Sequence, residues 1–288
     1  MAVVGAIAFS GKAIIVKLAY RHGVDAVTLI MLRMLFALPI FAAMAWWASR
    51  GKAPLLQREW AGVAGLGVLV YYLSSFLDFA GLQYISASLE RLILYLNPTL
   101  VLLLGWFLYR KPIRRLQVAG MAVSYTGVLL VFGHEVGVFG HDAAWGAVLV
   151  FASAITYAVY LVYSGQMVQR LGSLRLVGLA TGVACLCCIG QFLVLRPVSS
   201  LLAVAPPVIW LSVLNATLCT AVPVLLVMMA IERIGPALSA QSGMVGPLST
   251  ILMGILILGE PFTAWIAAGT VLVIAGIYVF TRAKAPQG

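Results

Sequence analysis

Six ionisable residues, Lys12, Lys17, Arg33, Asp78, Glu90 and Arg91, stand inside stretches that are otherwise apolar. On insertion scales such a group costs about 2.5–3.5 kcal/mol at the centre of a bilayer unless it is paired or hydrated, so the set marks an ion-pair network or a polar pathway. Counted at ~1.5 Å per residue, Lys12 falls near the middle of its stretch, and the other five fall within about two helical turns of one boundary. Two chemistries fit. In the first, Asp78 or Glu90 pairs with Lys17 or Arg33 to close an outer gate, with Arg91 in the same charge network. In the second, four bases against two acids form a net positive cavity in which Lys12 faces the carboxylate or phosphate of a solute. Snorkelling to headgroups is the simpler alternative for Arg33 and Arg91, and a structural pairing with a backbone carbonyl or another span is the alternative for Lys12. Glu90 and Arg91 are adjacent and so project ~100° apart, which predicts that they do not share a face.

Uncharged groups complete the candidate solute site. Asn97 stands beside Pro98, whose missing N–H predicts a kink there and a free carbonyl at Leu94; Pro247 predicts the same hinge in a later stretch. Asn97 either lines a cavity or repairs the local hydrogen-bond deficit. Tyr157 and Tyr160 share one helical face, and Tyr72 and Tyr95 supply further rings that either stack on a solute or pack and anchor helices. Asn215 and Gln241 add amide groups in the second half. No catalytic residue is predicted. Cys185, Cys187, Cys188 and Cys219 lack metal-ligand spacing, His22, His134 and His141 fall in expected loops, and neither a P-loop nor a nucleophile elbow is present. Neither a metal nor a cofactor is expected, and with no acid at mid-depth, facilitated diffusion or exchange is a simpler reading than proton coupling.

The elements that must carry these residues follow from composition. At 63% hydrophobic and 9% charged, with mean hydropathy +1.09, the chain lacks the polar surface of a water-soluble globule. Backbone groups facing lipid must bond internally, and unbroken apolar runs of roughly 20 residues fit helices rather than barrel strands. Ten runs are expected, at 2–21, 27–49, 60–80, 85–108, 114–132, 143–165, 174–195, 207–231, 236–258 and 262–281, with the longest connections near 133–142 and 196–206. The first run lacks a basic leader and carries Lys12 and Lys17, so it reads as a span rather than a signal peptide.

With the N-terminus cytoplasmic, the inner segments hold Arg50, Lys52, Arg58, Arg110, Lys111, Arg114, Arg115, Arg170, Arg175, Arg233, Arg282 and Lys284, against Arg21 and Arg196 outside. That asymmetry predicts both termini in the cytoplasm. The net charge of +10 is therefore topological, with the lipid bilayer as its partner, and no nucleic-acid patch is implied.

Pro98, Gly105, Pro112, Gly120 and Gly127 recur, 149 positions later, as Pro247, Gly254, Pro261, Gly269 and Gly276. Five spans per half is an odd number, so the second half must enter from the opposite side. The basic turn Arg110-Lys111-Pro112 accordingly becomes Gly259-Glu260-Pro261. The expected fold is all-α and integral to the membrane, ten transmembrane helices arranged as two inverted five-helix repeats, 1–135 and 143–282. Inverted repeats are a common frame for secondary transporters.

Asn97-Pro98-Thr99 with Gly105, Pro112, Gly120 and Gly127, and Gly246-Pro247 with Gly254, Leu258-Gly259-Glu260-Pro261, Gly269 and Gly276, resemble the drug/metabolite transporter superfamily in its EamA-type branch. The resemblance covers nearly the whole chain, and the first copy departs from it where Lys111 replaces the usual acid before the turn proline. It implies alternating-access export of a small-molecule substrate, amino acids including aromatic ones being favoured, across a bacterial-type inner membrane. A sugar-phosphate or nucleotide-sugar exchanger ranks second, because it would need more bases at mid-depth than Lys12. A membrane sensor or structural protein would need neither the inverted duplication nor mid-span prolines. No enzyme activity and no obligate protein partner are expected.

Overall fold

In a computed structural model, residues 2–110, 113–226, 229 and 245–282 are described. Ten helices occupy them: α1 (Ala2–Tyr20), α2 (Ala26–Ser49), α3 (Gln57–Gly81), α4 (Ala87–Leu108), α5 (Arg115–Phe139), α6 (His141–Leu171), α7 (Ser173–Leu195), α8 (Pro206–Leu226), α9 (Val245–Leu258) and α10 (Ala264–Arg282). Eight of them, α2 to α8 and α10, are long and apolar enough to cross a membrane, and α9 is a shorter apolar helix. The protein is thus an all-α, multi-pass membrane protein. Gln241 lies outside the described residues, as do Lys111, Pro112 and Arg233.

Local chemistry sets the helix boundaries. Asp25 caps α2, accepting from Val27 N at 3.2 Å and from the Thr28 hydroxyl at 2.6 Å, and Ser86 caps α4 by accepting from Leu89 N at 3.0 Å. The long connection expected at 133–142 does not exist. α5 runs on to Phe139 and α6 begins at His141, so the reversal is left to Gly140 alone, whose φ of 70° a side chain would resist. His134 and Glu135 are therefore helical residues rather than loop residues.

Several helices are irregular where the repeat has its signature residues. α4 is broken: one segment ends at Leu94, Tyr95 and Leu96 turn, and a second segment starts at Asn97 with Pro98 in its first turn. Pro98 therefore starts a helix, where its absent N–H matters least, instead of bending an unbroken one. α3 widens to i→i+5 turns over Gly67–Ser74 and α8 does so over Thr217–Ala221, at the equivalent place in the repeat. The wide turn of α8 frees the Asn215 carbonyl, which the Thr220 hydroxyl takes up at 2.8 Å.

The two most extensive helix pairings join equivalent helices, α2 with α7 and α5 with α10. In the α5–α10 seam a Cβ on Gly127 would stand 2.7 Å from the Gly269 carbonyl oxygen, and one on Gly120 would stand 2.7 Å from that of Gly276. Since Gly269 and Gly276 are the repeats of Gly120 and Gly127, each half presents the same two glycines to the other in reverse order. At the centre the Ser124 hydroxyl reaches the carbonyl of Val273, its own counterpart 149 residues on, at 3.5 Å. The contact is self-complementary and the two helices run antiparallel. Small residues let their backbones approach until dispersion and weak polar contacts hold them, as membrane helices require.

Candidate functional site

Four helices bring the predicted charges together. Lys12 of α1 bonds to Asp78 of α3 and lies 3.6 Å from Glu90 Oε1 of α4; Arg91 Nε stands 3.8 Å from Glu90 Oε2. Lys12, Asp78, Glu90 and Arg91 are all buried, with Glu90 at 0% exposure. The ring of Phe9 lies under both cations, 5.7 Å from Lys12 Nζ and 5.8 Å from the Arg91 guanidinium. Arg33 of α2, also buried, stacks over Phe79 at 5.0 Å.

Two expectations are corrected here. The acids pair with Lys12 and Arg91, not with Lys17 or Arg33, because the long lysine stem closes the difference in depth between Lys12 and Asp78. Glu90 and Arg91 do approach each other despite adjacent positions, since a guanidinium on three methylenes can fold back across ~100° of helix surface. Lys12 is consequently a paired cation and not an isolated one.

The second half closes the cluster with neutral groups. Arg91 Nε donates to the Thr250 hydroxyl of α9 at 3.0 Å; the Ser10 hydroxyl of α1 donates to the Gly246 carbonyl at 2.9 Å. On the α8 side, a Cβ on Gly11 would stand 3.1 Å from Cys219 Sγ. Yet many buried polar atoms remain without a hydrogen bond among the described residues: both carboxylate oxygens of Glu90, Asp78 Oδ1, Arg91 Nη2, and Arg33 Nε and Nη1. Such atoms are costly to bury unsatisfied, so donors and acceptors of both charge signs await water or a ligand.

A second polar group lies seven residues along α3, about 10 Å away at ~1.5 Å per residue. Tyr71 OH and Tyr160 OH are 3.3 Å apart, their rings meet edge to face at 5.9 Å, and Tyr157 stacks on Tyr160 at 5.9 Å. Tyr72 and Tyr95 instead pack in two separate apolar clusters. Asn97 is half-buried with its Oδ1 unbonded, and Asn215 is fully buried with both amide atoms unbonded.

Lys17 belongs to a different assembly. At the end of the helices beyond the charge cluster, its ammonium donates to the Ile85 carbonyl at 2.9 Å and the Leu82 carbonyl at 3.3 Å, Tyr20 OH donates to the Phe79 carbonyl at 2.5 Å, and Arg21 donates to the Leu258 carbonyl. Glu260 accepts from Ala87 N and the Ser88 hydroxyl, both at 2.8 Å, and Glu135 accepts from Ser86 N at 3.1 Å. Two carboxylates thus hold the positive N-terminus of α4. From the sequence Glu135 and Glu260 receive no site role; the Ser-Ala-Ser opening of α4 is the signal that anionic partners are needed there.

An apolar chain of two related helical halves, with buried charge on one half closed by neutral groups of the other, defines the class of multi-pass membrane carriers. Residues 1–133 and 144–282 each match the model of the EamA-like transporter family. An uncharacterized transporter of Bacillus subtilis, YcbK, is 31% identical over 89% of this chain and 84% of its own length. A probable amino-acid metabolite efflux pump of Salmonella typhimurium is 25% identical over 92% of this chain and 88% of its own. A solved crystal structure superposes with a TM-score of 0.60 at 20% identity, covering 97% of this chain and 96% of that one, a likeness of fold alone. The chain belongs to the EamA-like transporter family; it is a transporter and not an enzyme.

Proposed function

We propose that this transporter exports small amphipathic metabolites, amino acids including aromatic ones foremost, by alternating access through a bacterial-type inner membrane with both termini cytoplasmic. In this reading ten spans form two inverted five-helix repeats, 1–135 and 143–282. The antiparallel, self-complementary α5–α10 seam supports the inversion. One observation carries the choice of substrate: buried acceptor atoms on Asp78 and Glu90 and buried donor atoms on Arg91 and Arg33 have no hydrogen-bond partner among the described residues, the complement of a zwitterion. The ammonium of an amino acid replaces Lys12 at the carboxylates, its carboxylate meets the arginines, and its side chain extends toward Tyr157 and Tyr160. Asn97, Asn215, Tyr72, Tyr95 and Gln241 are the further candidates for the path, Pro98 and Pro247 for its hinges. The carbonyls held by Lys17 and Arg21, and the α4 terminus held by Glu135 and Glu260, form the outer closure.

The relative named as a probable amino-acid metabolite efflux pump agrees with this choice. Two carboxylates among three cations argue against a phosphorylated solute, which would meet like charge. Liposomes containing the protein should show counterflow of labelled phenylalanine or leucine and none of a labelled hexose phosphate, and Glu90→Gln should abolish it. Counterflow of the hexose phosphate alone would overturn the reading.

A further inference from the structure

The C-terminal end of α2 and the N-terminal end of α7 enclose a cleft of about 330 Å³, lined in part by Trp47, Arg50, Lys52, Gly172, Ser173 and Arg175. None of its lining residues is acidic. Two of its cations, Arg175 and Arg50, are held in place. Arg175 is buried and spends two nitrogens on the protein, Nε on the Ser49 hydroxyl at 3.1 Å and Nη2 on the Ala53 carbonyl at 2.9 Å. The guanidinium of Arg50 stacks over Trp46 at 3.6 Å. Lys52 Nζ lies 3.6 Å from where a Cβ of Gly172 would be, above the first turn of α7. Gly172 is the N-cap of that helix, has φ 80°, and gives the first-turn amides no side-chain cap.

Three positive groups and an open helix terminus around one cavity define an anion site with nothing of the protein's own to neutralise it. Its setting selects the anion. Trp46 and Trp47 are 64% and 66% exposed at this end of α2, the disposition of tryptophans at a membrane–water boundary, so the cleft opens at headgroup level beside an apolar wall. Basic pockets between membrane helices at that level suit anionic lipid headgroups.

We propose that the cleft binds the phosphodiester headgroup of an anionic phospholipid, with its acyl chains along the Trp46–Trp47 side of α2, and that this lipid fastens α2 to α7. A zwitterionic lipid carries the same phosphodiester but adds an ammonium that three cations repel. The full-length protein in neutral detergent should be titrated with phosphatidylglycerol, phosphatidylcholine and inorganic phosphate, read by thermal unfolding and by native mass spectrometry of retained lipid. Phosphatidylglycerol should raise the midpoint and remain bound, whereas the other two should do neither. Arg50→Ala and Lys52→Ala should each weaken retention about fivefold, the effect of roughly one surface cation. Arg115→Ala, which removes an exposed cation outside the cleft, should leave retention unchanged. Equal stabilisation by phosphatidylcholine, or phosphatidylglycerol retention indifferent to both cleft variants, would overturn the proposal. A shift produced by inorganic phosphate alone and lost in both variants would assign the cleft to a soluble anion and overturn it equally.

Discussion

The two halves of this transporter meet at two kinds of junction. Along α5 and α10 the meeting is symmetric: Gly120 faces Gly276, Gly127 faces Gly269, and Ser124 reaches its own repeat. Where α1 and α4 meet α9 it is asymmetric, with Lys12, Asp78, Glu90 and Arg91 clustered on one side and, among the described residues, the Thr250 hydroxyl and the Gly246 carbonyl on the other. The symmetric seam depends on the absence of side chains, so both copies had to keep it. The charged junction needs a net balance of charge, which one copy can supply alone. The duplicated frame therefore persists where backbones touch, and the buried charges stand where the copies have diverged.

The sharpest way to break this comparison is to remove one charge. Lys12→Met leaves Asp78 without its ion pair in a buried site, and breaking a buried pair in this way costs about 3–5 kcal/mol. The thermal midpoint should fall steeply and counterflow should vanish. Lys12→Met combined with Asp78→Leu removes both charges and should recover most of the stability while remaining silent in counterflow. A single variant as stable as the native chain would contradict the ion-pair network. A transporting double variant would move the solute site elsewhere.

The seam should respond more mildly, from both sides. Gly127→Ala and Gly269→Ala each push a methyl against the other's carbonyl oxygen at 2.7 Å, an overpacking of about 1–3 kcal/mol. The methyl of Gly269→Ala also meets Val131 Cγ2, closer than that of Gly127→Ala meets Leu272 Cβ at 2.9 Å, so Gly269→Ala should cost the more. Gly137→Ala on the same α5 has nothing within 4 Å of its added methyl and should cost nothing. A Gly269→Ala variant as stable as the native chain in repeated unfolding runs would show that the two backbones do not meet at this seam.

Much of this difference is legible in the sequence. Gly120, Gly127, Gly269 and Gly276 recur at one interval because a backbone contact leaves no room for a side chain, so spacing reveals the repeat. Charge partners are harder, since which face of α1 meets α3 depends on helix rotation that no single helix encodes. From the sequence Lys12 is either a solute-facing cation or a partner to another span, and Lys17 a gate cation; both lie on α1, and only contacts with neighbouring segments separate their roles. The polar run Gly133-His134-Glu135 was read as a loop because glycine and charge usually mark one. In the structure Glu135 is buried, holding Ser86 across a helix boundary.

A finer test concerns the tyrosines on the path from the charged junction. Tyr160→Phe keeps the stack on Tyr157 but loses the contact with Tyr71 OH, a change of about 0.5–1.5 kcal/mol in stability. Tyr160→Ala removes the ring as well. If aromatic side chains rest here, Tyr160→Ala should weaken phenylalanine counterflow roughly two- to twelvefold, the span of an aromatic pair, and leave alanine counterflow nearly unchanged. Equal loss for both amino acids would confine the tyrosines to packing.

The smallest effect is expected where a charge pair faces water instead of the core. Arg196 Nη2 lies 3.3 Å from Asp25 Oδ2, with 46% and 36% of the two side chains exposed, so the pair itself contributes about 0–1 kcal/mol. The cap that Asp25 places on α2 adds about 1 kcal/mol. Partial burial alone would raise the Asp25 carboxyl, but the Thr28 hydroxyl, Arg196 and the Thr28 amide outweigh it and hold it below the usual carboxylate range. A carboxyl lowered by folding stabilises fully above its unfolded value of about 3.9, and loses that contribution as pH falls through the lower folded value. The stability difference between the native chain and Asp25→Asn should therefore be constant from pH 8 to about pH 5 and shrink only below about pH 4. The Lys12–Asp78 junction, shielded from salt, should keep its stability in 1 M sodium chloride, and the Asp25–Arg196 contribution should be lost there. If both contributions fell with salt alike, the charged junction would be wet, and the contrast between a sealed site and an open surface pair would disappear.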